Sequence, residues 1–283
     1  MNLKRATALV IAAGGMFAQS PAPRPAFDEF EVATIKPTDP DWTRGRFIRM
    51  ESAHQFVARN HALNTLIAAA YNVSPHAISG GPAWVESDHY DILAKAPGEV
   101  RPSLDEQMSM LRKLLADRFK LTFHREQKEL SIYALTVARS GSKLTGSKVT
   151  GSKLKESAVS PDGLPLRDES PVGPPPLIFV VTPPAVRLPG RYASMAELAS
   201  VFQRGVLDRP VIDKTGLPGR YDFDLEFTPD ETQFSGMLGR PPSDAPLPGL
   251  FAALQQQLGL RLEATKGPVD VLVVDRAERP SEN

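Results

Sequence analysis

Apolar and polar positions along the chain fall into alternating stretches and helix-periodic ones. Phe30–Ile35 alternates and predicts a strand ended by Lys36-Pro37. Arg46–Arg59 predicts a hairpin or two short strands. Leu63, Leu66, Ile67, Ala70 and Tyr71 recur at helical spacing, so residues 62–72 predict a helix with one apolar face. Ser79-Gly80-Gly81-Pro82 reads as a turn. His89–Ala94 reads as a strand with Tyr90, Ile92 and Ala94 on one side and Asp91 and Leu93 on the other. Ser103 and Glu106 form a capping box that opens a helix running to about Asp117 and burying Met108, Leu111, Leu114 and Leu115. Phe119, Leu121 and Phe123 predict one further strand and Ile132–Val137 a second, joined as a hairpin by the polar stretch between them.

The pattern then starts again. From Val186 onward, Met195, Leu198, Ala199 and Phe202 mark a helix, Tyr221–Phe227 a strand and Leu250–Leu258 a helix. Leu258, Leu260 and Leu262 alternate, and Val269–Val274 is an apolar strand. The two series match in order. Leu63, Leu66, Ile67 and Ala70 fall on Met195, Leu198, Ala199 and Phe202 at a shift of 132, and Tyr90-Asp91-Ile92 falls on Tyr221-Asp222-Phe223 at 131. Leu111, Leu115, Phe119, Leu121 and Phe123 fall on Leu250, Leu254, Leu258, Leu260 and Leu262 at 139. The extra length lies in the Pro-rich stretch Pro229–Pro248, where insertion costs little. The expected fold is therefore α+β. It would hold two diverged copies of a helix–strand–helix–hairpin unit, with antiparallel-rich sheets carrying helices on one face. The copies run from about Ala53 to Val137 and from about Arg191 to Val274, and whether they share one sheet is open.

Composition adds boundaries. The 27 prolines are about twice the usual share and cluster between folded pieces. Gly141-Ser142-Lys143-Leu144, Gly146-Ser147-Lys148-Val149 and Gly151-Ser152-Lys153-Leu154 repeat in a low-complexity basic stretch. With no aromatic residue interleaved, it reads as a solvated linker before it reads as a polyanion or cell-wall contact. Lys4 and Arg5 precede the small apolar stretch Ala6–Ala18 and a small-residue cleavage region, which together read as a secretory signal peptide cut near Ala18. A retained anchor is the competing reading, but the stretch is shorter than the roughly 20 residues that span a bilayer. No later stretch is long and apolar enough to cross. The boundaries that follow are 1–20 for the signal peptide, 27–138 for the first unit, 139–185 for the linker and 186–283 for the second unit. The expected location is the periplasm or the cell exterior.

Charge and chemistry narrow the function mostly by exclusion. Basic and acidic residues number 33 each, so the balance favours neither nucleic acid nor an anionic membrane. With no cysteine, disulfide scaffolds, zinc ribbons and thiol nucleophiles are excluded. The five histidines, His54, His61, His76, His89 and His124, form no ligand-spaced pair. No Gly-x-Ser-x-Gly elbow and no phosphate loop is present. Asp213-Lys214-Thr215-Gly216 resembles the phosphorylated-aspartate motif of cation-pumping ATPases, but Leu217-Pro218-Gly219 follows and the segment reads as a turn. Asp91 and Asp222 are repeat-related and could act as a carboxylate pair. Capping of turn N–H groups explains both equally well and is the simpler reading. Trp84 is either an exposed stacking platform or a cover on the core edge.

Several segments carry a wider resemblance. They are Phe30–Pro37, Ile78-Ser79-Gly80-Gly81-Pro82-Ala83-Trp84 with Tyr90-Asp91-Ile92, and Leu114–Leu121. Arg209–Leu217 follows with Gly219-Arg220-Tyr221-Asp222-Phe223, and the set ends at Val274–Ser281. On them the chain resembles a soil-associated bacterial protein family of unknown function, over nearly all of its mature length. The resemblance implies export and a domain also found attached to membrane sensor peptidases. It supplies no catalytic residues, and the Gly-Ser-Lys insert is longer and more repetitive than the family leads one to expect.

The reading that results is a non-enzymatic binding or interaction module at the cell envelope, with no cofactor and no metal. Its partner would be a protein or an envelope polymer, and Trp84, Tyr90, Asp91, Arg220, Tyr221 and Asp222 are the candidate binding residues. The rival is a hydrolase of envelope carbohydrate or peptide using the paired aspartates. A purely structural envelope protein is the third reading.

Overall fold

The computed structural model describes residues 25–43, 45–138, 154–157 and 177–280. The expected signal peptide and the Gly-Ser-Lys repeats up to Lys153 lie outside the described residues. In chain order, β1 (Val32–Pro37), β2 (Phe47–Met50) and β3 (Gln55–Ala62) precede helix α1 (Leu63–Tyr71). Next come β4 (Ile78–Gly80), the short helix α2 (Trp84–Ser87), β5 (His89–Lys95), α3 (Leu104–Arg118) and the long strand β6 (Thr122–Val137). The later part holds β7 (Lys155–Glu156), β8 (Val180–Thr182), β9 (Ala185–Ala193), α4 (Met195–Gly205), β10 (Val211–Asp213), β11 (Tyr221–Phe227), α5 (Leu250–Ala253) and β12 (Leu260–Arg276). A π turn, Leu254–Leu258, prolongs α5, and Gly259 ends it in the left-handed region, where a residue without Cβ is unstrained. The fold is α+β with three mostly antiparallel sheets.

Local chemistry explains the helix starts. The Ser103–Glu106 box is formed on both sides, and Ser194 with Glu197 makes the same box on α4. Each satisfies N–H groups that the first helical turn leaves free. α1 ends at Asn72, which takes the left-handed conformation and donates back to the Ala69 carbonyl.

The first sheet has the order β1-β5-β3-β2 and another β7-β11-β9-β8. Lys155 and Glu156, which fall inside the expected linker, add an edge strand against Tyr221 and Asp222. Between these sheets lies a third, ordered β10-β6-β12-β4. It replaces the two hairpins expected from sequence. β6 is one continuous strand, because His124–Ser131 contains no Gly, Pro, Asn or Asp to turn on. It runs antiparallel to β12 from the Val137–Leu260 pair to the Thr122–Arg276 pair. The polar middle of β6 is exposed ribbon.

The edges of this sheet are reciprocal. β4 lies parallel on Leu272–Val274 of β12, and β10 lies parallel on Tyr133–Leu135 of β6. The cores are reciprocal as well. Leu272 and Val274 join a cluster built from residues 27–121, with Leu63, Leu66, Met110 and Leu115 at its centre. Leu135 joins the other cluster, around Leu198, Phe202, Leu225 and Leu254. Each half thus completes its core with a strand from the other.

Candidate functional site

The two halves leave a cleft where α1 and α4 approach. Ser200 on α4 donates a hydrogen bond to the Asn72 side chain at the end of α1, which ties the helices together. Beside that tie, Ala68 and Ala69 on α1 and Gly205 at the end of α4 are too small to fill the space. A cavity of about 730 Å³ results. β2 walls it with Phe47, Ile48 and Met50, the start of α3 with Leu104 and Gln107, and the segment before β8 with Leu177, Ile178 and Phe179. Leu104 and Ile178 are exposed, so the wall is apolar out to solvent. A second cavity of about 340 Å³ shares Arg46, Thr65, Pro75, Arg204 and Gly205 with the first.

Polar groups on this wall are poorly satisfied. His61 is 7 % exposed, and its Nδ1 lies 3.0 Å from the Thr65 hydroxyl while its Nε2 has no hydrogen-bond partner among the described residues. Burial, then the Arg46 guanidinium, pushes the His61 imidazole down to about 3, so it is neutral at any ordinary pH. Arg101 donates through Nη2 to the Met50 carbonyl at 3.3 Å, but its buried Nε is without a partner among the described residues. Burial also holds the Arg46 and Arg204 guanidiniums below their ordinary value.

The candidates taken from sequence lie elsewhere. Trp84 opens α2 and packs edge-on to Tyr90 at 6.4 Å, with the Arg279 guanidinium 5.3 Å above its ring. Asp88 holds that guanidinium at 2.8 Å. Tyr90 is buried in the first core, edge-on to Phe119 as well. Arg220 donates to the Tyr192 carbonyl and to Glu197, both at 2.9 Å. Tyr221 packs half-buried against the second core.

Asp91 and Asp222 do one job twice. Asp91 Oδ1 accepts from the Asn60 backbone N–H at 3.0 Å and the Thr38 hydroxyl at 2.9 Å, and Oδ2 from Arg59 at 2.6 Å. Asp222 Oδ1 accepts from the Tyr192 backbone N–H at 2.8 Å and the Ser157 hydroxyl at 3.1 Å. Asn60 and Tyr192 have φ of 56° and 52°, and each stands where the register of its sheet slips. The carboxylates hold β-bulges. They sit in different sheets, and neither lines the two cavities above. Asp213 similarly accepts from the N–H and hydroxyl of Thr215, at 2.9 and 2.8 Å, closing a turn.

Among the described residues no group of three or more His, Asp or Glu is placed to hold a metal ion, and no helix is long and apolar enough to cross a membrane. A family model described as protein of unknown function (DUF3738) matches residues 64–277. The chain belongs to that family. No curated protein and no solved structure matches it. The DUF3738 match takes in α1, α3, α4 and both long strands, and so both helices that frame the cleft. Arg46, β2 and His61 precede the matched residues.

Sequence reading missed Arg46, His61, Arg101 and Arg204. Arg204 stands in the last turn of a helix, where a cation is expected for the helix dipole alone. Only the meeting of distant segments leaves these groups short of partners, and no local pattern announces it.

Proposed function

We propose that the chain is an exported, non-enzymatic binding protein whose ligand seats in the cleft between its halves. The observation that carries this reading is the cleft of about 730 Å³ framed by α1 and α4. Its volume falls in the range of small-molecule sites, about 300–1,000 Å³. It stands between structural halves, as many such sites do. The matched spacings of the two halves and their reciprocal strands support an origin by duplication, with helices at equivalent positions facing across the gap. Lys4, Arg5 and the apolar Ala6–Ala18 stretch support export.

A neutral apolar fluorophore, N-phenyl-1-naphthylamine, tests the cleft. The mature chain should take up one equivalent saturably, and Ala69→Trp, which fills the cleft from α1, should abolish uptake with the far-UV circular dichroism unchanged. Equal uptake by the filled variant would sink the reading. Export is tested separately, by the mass of protein recovered from the periplasmic or culture fraction. The expected N-terminus follows Ala18.

A further inference from the structure

Charge on the cleft wall is sorted. The chain has equal numbers of basic and acidic residues, 33 each, yet among the described residues the larger cavity is lined by Arg46, Arg49, Arg101, Arg204 and His61 and by no carboxylate. Arg49 is engaged, 2.9 Å from Glu51 and stacked on Phe47. Among the described residues Arg204 makes its hydrogen bonds through Nε alone, to the Ser200 carbonyl and hydroxyl at 3.3 and 3.2 Å. Arg46 and Arg204 have no ion-pair partner among the described residues. The smaller cavity carries Glu86 and Asp208, and Asp208 is 3.3 Å from Arg209. Arg46 and Arg204 therefore stand at a junction between a mixed-charge space and one whose walls are apolar and carry basic charged groups only.

A partly buried guanidinium without a counter-charge is unfavourable, and a bound anion offsets that cost. The planar fork of Arg suits a carboxylate or phosphate, which accepts two N–H groups at once. A purely polar anion leaves the apolar walls wet, and a purely apolar ligand leaves the arginines unpaired. Resting on the cleft reading above, we propose that the site binds an amphipathic organic anion. Its carboxylate or phosphate head lies on Arg46 and Arg204, and its apolar body runs along Ile48, Met50, Leu104 and Phe179.

The test is displacement of N-phenyl-1-naphthylamine from the full mature chain by dodecanoate, dodecyl phosphate, dodecanol and inorganic phosphate. At least one anionic amphiphile should displace it at a concentration about tenfold or more below dodecanol, a difference of about 1.4 kcal/mol. Inorganic phosphate should fail. Comparing the two amphiphiles tells which head is preferred. Arg46→Gln with Arg204→Gln should remove the advantage of the anion and leave dodecanol unchanged. If that pair does not fold, Leu104→Glu sets a like charge at the mouth on an exposed position, 55 % accessible, and should weaken the anions about tenfold. Equal potency of dodecanol overturns the proposal, and so does indifference to both sets of variants. Binding of inorganic phosphate with no gain from the chain overturns it too. In those cases saturable dye uptake still upholds the cleft reading. If the dye itself does not bind, that reading falls, and calorimetric titration with dodecanoate decides this one: no heat of binding overturns it.

Discussion

Asn60 and Tyr192 show what two of the chain's aspartates are for. Both residues take a left-handed conformation that costs a side-chain-bearing residue free energy, the more so for a bulky Tyr. Each has its N–H held by a carboxylate. Asp91→Asn and Asp222→Asn keep the shape and remove the charge. Each should lower stability by about 1–3 kcal/mol in urea unfolding, the cost of weakening a charge-assisted bond to a part-buried N–H. Asp91→Asn should cost more, since Arg59 loses its partner at 2.6 Å as well. An unchanged midpoint in both variants would contradict the bulge-holding role. His61 gives a pH dependence. Its folded value is about 3, below the ordinary 6.5, chiefly through burial and then Arg46, with His89 adding and Asp91 and the Phe47 backbone opposing. The unfolded chain takes up this proton below pH 6.5 and the folded chain does not. The contribution is therefore complete above pH 6.5 and is lost as pH falls from there toward 3, by about 1.4 kcal/mol per pH unit. The difference in urea stability between wild type and His61→Gln should shift in that sense between pH 7 and pH 4.5. Parallel curves would show that the ring is not held neutral. His124 has the opposite sign. Glu126 and Asp275 raise its value, so what it contributes is present at low pH and lost as pH rises through the raised value.

At the scale of elements, the β6–β12 ribbon decides the architecture. Leu272 is fully buried, with Val274 beside it, in a core otherwise built from residues 27–121. Leu272→Ala should cost about 2–5 kcal/mol. It should also lower the stability of α1 and α3 against opening, more than a hundred residues away in sequence, which faster hydrogen exchange of those helices would show. Exchange confined to the later half would contradict the shared core. The sequence revealed the elements better than their partners. Capping boxes and apolar spacing are local, so α3, α4, β5 and β11 are legible in Ser103, Met195, Tyr90 and Tyr221. The ribbon is not legible, since pairing Val137 with Leu260 leaves no mark near either residue. His124–Ser131 looks like a turn by polarity alone. Its lack of turn-forming residues was the signal against that reading. The cleft is the least legible feature, because Arg46 and Arg204 look like ordinary surface cations until the halves meet.

For the whole molecule, the reciprocal strands bind the halves more firmly than a linker would. A specific protease site placed between Gly141 and Lys153, cut after folding, should leave two fragments that co-elute in gel filtration and unfold in one transition. Residues 27–138 expressed alone should fail to give that transition, because β12 is missing from their core. Separate elution of the fragments would show independent domains. The same exchange sets an order of events. The first core holds the complete sheet β1-β5-β3-β2, but β4 has no strand to pair with until Leu272–Val274 arrive. Contacts between residues so far apart in sequence form slowly, since long loops must close first. A chain threaded through a membrane channel must stay unfolded while it passes. Under the export proposed above, β12 would act as a delay: the early half keeps an unfinished core until Leu272–Val274 have crossed, and its folding is completed on the far side.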